Sequence, residues 1–190
     1  MALTTIDPKL KRAQSLVGSS PGRPDDDFYP TPAVGTQALM DVEKFTGEIW
    51  ECGCGDGAMS RVLEANGYKV KSTDLTYRGY GETEPQDFLA STYVSDNIVT
   101  NPPFSLGQEF VEHALAQSTG KVAMLCKLQF LEGKKRTEMF KRTPFKKVWV
   151  FSKRLTLYRD GIKMKNSGMI AFAWFVWDKQ FKGEPTVGWL

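Results

Sequence analysis

Four groups of residues in this 190-residue chain have types and spacing that could do chemistry. The first is the turn Gly53-x-Gly55-x-x-Ala58, with Gly57 inside it and Glu51 just before it. With no side chains in the way, a nucleoside or amino-acid moiety can come against the backbone there. The second is Asp74, about 20 residues on, where an acid can accept hydrogen bonds from both hydroxyls of a ribose, as in nicotinamide or adenosyl cofactors. The third is Asp87, and the fourth is Asn101-Pro102-Pro103-Phe104. Neither proline has a backbone N–H and both have fixed φ, so this turn holds out carbonyl oxygens and the Asn101 side chain rigidly. Two acceptors beside a flat ring suit a planar ligand with an exocyclic NH2, stacked on Phe104. Taken singly, each group also fits a structural part, such as a tight turn or a proline stop before a helix.

The elements that must position these groups follow from periodicity. Thr31 as N-cap and Pro32 in the first turn open a helix whose apolar face would be Val34, Ala38, Val42 and Phe45. A strand at 48–52 runs into the glycine turn, a helix with Met59, Val62 and Leu63 on one face stops at Gly67, and a second strand spans 69–74. A poorly defined third strand is expected at 80–88 and a fourth at 97–100. Ser105-x-x-Gln108 reads as a capping box for a helix facing the core with Leu106, Phe110, Val111, Ala114 and Leu115. Further strands are expected at 122–128, 147–151 and 169–177, the last apolar throughout, so that Trp174 and Trp177 belong to the core. The alternation predicts an α/β fold around a largely parallel sheet. In such sheets the ligand lies beyond the carboxyl ends of the strands, where Glu51, Asp74, Asp87 and Asn101 each fall.

Composition narrows the class. With 41% apolar and 25% charged residues the chain should bury roughly 70% of its unfolded surface, enough to fold without staples. The odd cysteine count (Cys52, Cys54, Cys126) and single His113 do not supply the roughly four ligands of a zinc site, so reduced, structural thiols and no metal are expected. The longest apolar run, residues 169–177, is far short of the roughly 20 residues a membrane span needs, and the N-terminus lacks the apolar centre of a signal peptide. A soluble, cytoplasmic protein is expected. Net charge is +3, yet residues 121–165 hold 14 Lys and Arg against Glu132, Glu138 and Asp160. Such a segment is either a solvated lysine-rich face or a surface for an acidic polymer. Residues 1–28, poor in apolar residues, read as a flexible arm.

Together these motifs resemble the class I S-adenosylmethionine-dependent methyltransferases, and within them the amino-methyltransferases acting on adenine in DNA. The resemblance rests on Glu51-Cys-Gly-Cys-Gly-Asp-Gly57 for the cofactor loop and Ser72-Thr-Asp74 for the ribose acid. Gln86-Asp87-Phe88-Leu89 matches the segment for the cofactor adenine, and Asn101-Pro-Pro-Phe104 the catalytic loop. Tyr29-Pro-Thr-Pro32 is similar to the N-terminal cofactor motif of small phage and prophage DNA adenine methyltransferases. It implies a Rossmann-like fold with a mostly parallel seven-stranded sheet and helices on both faces, and S-adenosyl-L-methionine as cofactor. Cofactor contacts would come from Tyr29, Thr31, Glu51, Gly53, Gly55, Gly57, Asp74, Asp87 and Phe88, and catalysis from Asn101, Pro102, Pro103 and Phe104.

The implied chemistry is consistent with those residue types. A sulfonium methyl is already activated, so catalysis needs an amine aligned with the S–CH3 bond more than a strong base or a metal. Acceptance of the two amine hydrogens by the Asn101 side-chain oxygen and the Pro102 carbonyl would favour a localised, nucleophilic nitrogen and stabilise the positive charge growing on it. A base inside a duplex is out of reach, so it must be flipped out or single-stranded, and phosphate contacts must offset the cost. Candidates for these contacts are Lys127, Lys134, Lys135, Arg136, Lys153, Arg154, Arg159, Lys163 and Lys165, with Tyr158 interleaved. Residues 29–190 are expected to form one methyltransferase domain without the target-recognition domain of the larger restriction-type members. DNA is the expected partner. The tetrapeptide is shared with methyltransferases of guanine amines in ribosomal RNA and of protein glutamine, which stand as alternative substrates.

Overall fold

Among the described residues, regular structure begins at Ala33. In the computed structural model, which describes residues 28–157 and 170–190, the order is α1 (Ala33–Val42), β1 (Ile49–Glu51), α2 (Ala58–Ala65), β2 (Val70–Ser72), β3 (Asn97–Thr100), α3 (Gly107–Ala116), β4 (Lys121–Lys127), α4 (Lys134–Arg142), β5 (Phe145–Val150), β6 (Phe172–Asp178) and β7 (Thr186–Trp189). The strands form one sheet in the order β2-β1-β3-β4-β6-β5-β7. All neighbours are parallel except at β6, which runs antiparallel to both β4 and β5.

Alternation along the strands divides the core into two faces. Leu39 and Met40 of α1 and Met59 and Leu63 of α2 pack with Ile49, Val99, Leu125 and Trp174 on one. Phe110, Val111 and Ala114 of α3 and Met139 of α4 pack with Trp50, Ile98, Met124, Phe175 and Trp177 on the other. The expected mostly parallel seven-stranded sheet with helices on both faces is therefore present. β6 is buried at six of its seven positions, and its tryptophans lie in the core with their indole N–H groups satisfied: Trp174 donates to the Gly35 carbonyl at 2.8 Å and Trp177 to Thr143 Oγ1 at 3.1 Å.

Several local expectations are corrected. No strand forms at 80–88: Gly79 and Gly81 have positive φ, Pro85 has no N–H to give a ladder, and the segment closes back through Glu82 N–H to the Ser72 carbonyl at 2.9 Å. The seventh strand is instead β7, parallel to β5 at the opposite edge. In α1 the buried residues are Gly35, Thr36, Leu39 and Met40, while Val34 and Val42 face solvent. Pro32, not Thr31, occupies the N-cap of α1. Ser105 caps nothing: residues Phe104–Leu106 form a 3-10 turn, and the Gln108 amide donates to Glu112 at 3.0 Å.

The chain leaves β1 for β2 on one side and returns to β3 on the other, so the crevice beyond the carboxyl ends of β1 and β3 is the point where open α/β sheets hold ligands. The basic segment does not form one surface around it. Lys121 and Lys146 lie at the amino ends of β4 and β5, where Lys121 pairs with the buried Glu43 at 2.7 Å and Lys146 with Asp178 at 3.1 Å. Arg142 pairs with Glu112. Among the described residues no helix is long and apolar enough to cross a membrane, and no group of three His, Cys, Asp or Glu converges to hold a metal.

Candidate active site at the switch point

The glycine turn is tied to the chain that follows β2. Cys54 N–H donates to the Thr73 carbonyl at 3.0 Å, Gly55 N–H to Asp74 Oδ2 at 2.8 Å, and Thr73 N–H to the Glu51 carbonyl at 2.9 Å. Asp74 Oδ1 accepts from Thr76 N–H at 2.9 Å. The acid expected to face a ribose thus first clasps the turn, and with backbone bonds from Gly55, Leu75 and Thr76 it keeps acceptor capacity for about one hydroxyl. Burial raises its carboxyl above the usual value, against the pull of these backbone bonds.

Glycine is required at two points of the turn. Gly55 has φ +55° and a side chain there would run into the Phe28 ring at 2.3 Å; Gly57 has φ +80° and would meet the Tyr80 ring, also at 2.3 Å. Gly53 differs, since a Cβ there would find only Thr100 Oγ1, at 3.4 Å. The backbone at Gly53 is where another molecule can come close. Glu51, 2% exposed, lies beneath the turn and accepts from the Ser60 hydroxyl, which also shares a hydrogen bond of 2.7 Å with Ser72. Burial pushes its carboxyl up to about 8, and Asp74 and Asp56 add to the rise.

Gln86 N–H donates to the Asp74 carbonyl at 2.8 Å, which brings Asp87 to the same rim. Asp87 Oδ1 accepts from Leu89 N–H at 3.0 Å and so opens a 3-10 turn, Phe88–Ala90. Phe88 turns inward, with ring centres 5.1 Å from Trp50, 4.9 Å from Phe110 and 4.9 Å from His113. It anchors the segment rather than lining the crevice. His113, half-buried, has Nε2 3.1 Å from the Ser91 carbonyl oxygen.

Asn101 follows β3 directly. Its amide donates through Nδ2 to the Tyr29 carbonyl and to Thr31 Oγ1, each at 3.2 Å. The side-chain oxygen Oδ1 is shielded from solvent and accepts from no group among the described residues. Tyr29 and Thr31, the residues expected at the cofactor, thus also hold Asn101, a part the spacing of Tyr29-Pro-Thr-Pro32 does not signal. The Phe104 ring packs with Tyr29 at 5.9 Å and with Phe172 at 5.6 Å, with Lys127 Nζ 4.5 Å from its centre.

The other basic candidates divide. Lys127 ends β4, Lys134, Lys135 and Arg136 open α4, and Lys153 and Arg154 follow β5, all at the carboxyl end of the sheet. Arg159, Lys163 and Lys165, with Tyr158 and the arm up to residue 27, lie outside the described residues. The three cysteines are free thiols, and burial pushes each up, Cys54 to about 12.

No family model and no curated protein matches the chain. Solved structures do. A protein assigned as the modification subunit of a type I restriction enzyme in Vibrio vulnificus YJ016 is 12% identical over 95% of this chain and 49% of its own, with a TM-score of 0.59. One assigned as an RNA methyltransferase in Pyrococcus horikoshii is 15% identical over 90% of this chain and 98% of its own, also at 0.59. TehB from Haemophilus influenzae is 16% identical over 78% and 61%, at 0.53. This chain spans about half the length of the Vibrio protein. The fold is the Rossmann-like fold of class I methyltransferases.

Proposed function

We propose that this chain transfers the methyl group of S-adenosyl-L-methionine to the exocyclic amine of adenine in DNA. The observation that carries the reading is Asn101: a rigid amide whose Nδ2 donates to Tyr29 and Thr31 and whose Oδ1 is buried and, among the described residues, unpartnered beyond the carboxyl end of β3. An unsatisfied buried acceptor costs about 1–3 kcal/mol, and an amine hydrogen delivered there would recover it. The residues fit the cofactor. Gly53 offers open backbone, Asp74 keeps acceptor capacity for a ribose hydroxyl, and Asp87 stands on the same rim.

The bound cofactor supplies an activated methyl group, and the rest is done by this chain. Asn101 Oδ1 and the Pro102 carbonyl accept the amine hydrogens and turn the nitrogen lone pair toward the methyl. The same acceptors stabilise the positive charge that develops on nitrogen in the transition state. Phe104, packed with Tyr29 and Phe172, gives the base a flat wall. The cations at the carboxyl end of β4, the start of α4 and the end of β5 take the phosphates of a strand whose target base is extruded.

The test is transfer of label from methyl-labelled S-adenosylmethionine to unmethylated duplex DNA, followed by nucleoside analysis. Label in N-methyladenine with the wild-type chain and none with Asn101→Ala is the expected result. A structured RNA runs in parallel, because the match to the Pyrococcus protein, over 98% of that protein's length, supports an RNA amine as the second reading. Turnover that survives Asn101→Ala at near the wild-type rate would sink the mechanism.

A further inference from the structure

Beside the Asn101 turn, between the cations to which the reading above gives the phosphates, lies a cleft. It is open to solvent, has a volume of about 160 Å³ and is lined by Phe104, Cys126, Lys127, Gln129, Phe130 and Arg136. That is well below the roughly 300–1,000 Å³ of a site for a drug-sized molecule, so it admits one ring or one nucleotide's worth of ligand and no whole cofactor.

Its walls are aromatic rings that carry cations. Lys127 Nζ stands 4.5 Å from the centre of Phe104, and the Arg136 guanidinium 5.3 Å from the centre of Phe130. Phe130 is fixed by edge contacts with Phe140 at 5.8 Å and Phe175 at 5.4 Å, and it fits because Gly107 carries no side chain: a Cβ there would come within 3.1 Å of the ring. Arg136 is oriented by its Nε–H, which donates to the Glu132 carbonyl at 2.6 Å. The Cys126 thiol lining the cleft is buried, and burial pushes it up, so it stays neutral. Two cations over two rings suit an anionic, planar ligand.

The position says which one. Phe104 is shared with the Asn101 turn, and the cleft lies at the end of β4, the strand next to β3 and about 4.8 Å from it. A nucleotide of an unstacked strand spans such a step. The geometry points to a subsite for the nucleotide adjoining the target, with its phosphate between Lys127 and Arg136 and its base against Phe130. This rests on the nucleic-acid substrate proposed above. Drawing Lys127 to that phosphate takes it off Phe104 and clears the ring face on which the target base stacks, so filling the cleft prepares the catalytic turn.

The test uses the full chain with S-adenosylhomocysteine and short oligothymidylates that carry one adenine and one uncharged methylphosphonate linkage, walked along the strand. Binding is followed by fluorescence anisotropy, and methyl transfer is measured on the same strands with S-adenosylmethionine. The wild-type chain is expected to lose at least about fivefold in affinity when the uncharged linkage adjoins the adenine and little when it is distant. Lys127→Ala and Arg136→Ala are each expected to lower the salt slope by about 0.7 and to lose the sensitivity to linkage position. Removing the neighbouring base should also cost the wild-type chain about fivefold or more. Losses that are equal at every position, or variants that bind and turn over like the wild-type chain, overturn the subsite. Position-dependent binding without methyl transfer would sink the function proposed above and leave the subsite standing. No binding to any strand, whatever its linkages, overturns both.

Discussion

Thr31 Oγ1 accepts one hydrogen bond of the Asn101 amide at 3.2 Å, from a segment that precedes α1 by two residues and Asn101 by seventy. The orientation of the amide is therefore set by the entry to α1, not by the strand that carries Asn101. Thr31→Val keeps the shape and removes the acceptor. With one neutral hydrogen bond worth about 1 kcal/mol, kcat should fall about fivefold while the cofactor's affinity stays the same, and Thr31→Ser should restore the rate. Loss of cofactor affinity with kcat unchanged would return Thr31 to the cofactor.

Gly55→Ala tests the turn. At φ +55° a side chain costs about 1–2 kcal/mol, and the new methyl would overlap Phe28. S-adenosylhomocysteine binding, measured by calorimetry, should weaken by about tenfold, with a modest drop in Tm. Adding Phe28→Ala should recover part of the binding, since it removes the overlap and leaves the backbone strain. An unchanged affinity in Gly55→Ala would mean that the turn does not face the cofactor.

Glu51 gives stability a pH dependence of definite sign. Its carboxyl ordinarily titrates near 4.5 and burial holds it at about 8, so the folded chain keeps a proton that the unfolded chain releases between those values. Stability should fall as pH rises from about 4.5 to 8 and level off above. Glu51→Gln keeps an acceptor for Ser60 and should flatten that slope, read from urea unfolding at pH 5, 6.5 and 8. A variant with the wild-type slope would show that Glu51 is ionised in the fold.

At the other end of the sheet, Glu43 is 5% exposed and accepts from Lys121 at 2.7 Å and from the Trp149 indole at 3.1 Å. Lys121→Met leaves this carboxylate with Lys146 as a cation only at 4.0 Å. Breaking a buried pair from one side costs about 3 kcal/mol, lowered here by the partial exposure of Lys121. Thermal unfolding should show a loss of several degrees, and Glu43→Gln combined with Lys121→Met should recover part of it. Additive losses would rule out the pairing.

What could be read from the sequence, and what could not, follows from how local each signal is. β1, α2 and β6 carry their own patterns, and Glu51, Asp74 and Asn101 fall at the expected rim because strand ends are local, whereas Asp87 comes there with no strand before it. The strand expected at 80–88 fails on Gly79, Gly81 and Pro85, whose backbone preferences outweigh the few apolar residues around them. β7 has only four residues, mostly exposed and with Gly188 inside, so no period marks it; pairing with β5 makes it a strand. The face of α1 depends on Gly35, which is buried because Leu155 and Trp174 close on it, a contact that no spacing within α1 encodes. Counting charge along the chain likewise joined lysines that the parallel strands send to opposite ends. Thr31 was legible as polar and placed, but its partner lies seventy residues away.

The single reversal at β6 has an engineering consequence. Because Val150 of β5 pairs with Ala173 of β6, the chain leaves and re-enters the sheet at one place, at its carboxyl rim. A connection that begins and ends at neighbouring points can change length cheaply, each doubling costing only about 0.6 kcal/mol in closure entropy. The connection between β5 and β6, beyond the Leu155 that packs on α1, is thus the position where a longer or foreign segment could be exchanged at the carboxyl rim without re-registering a single strand.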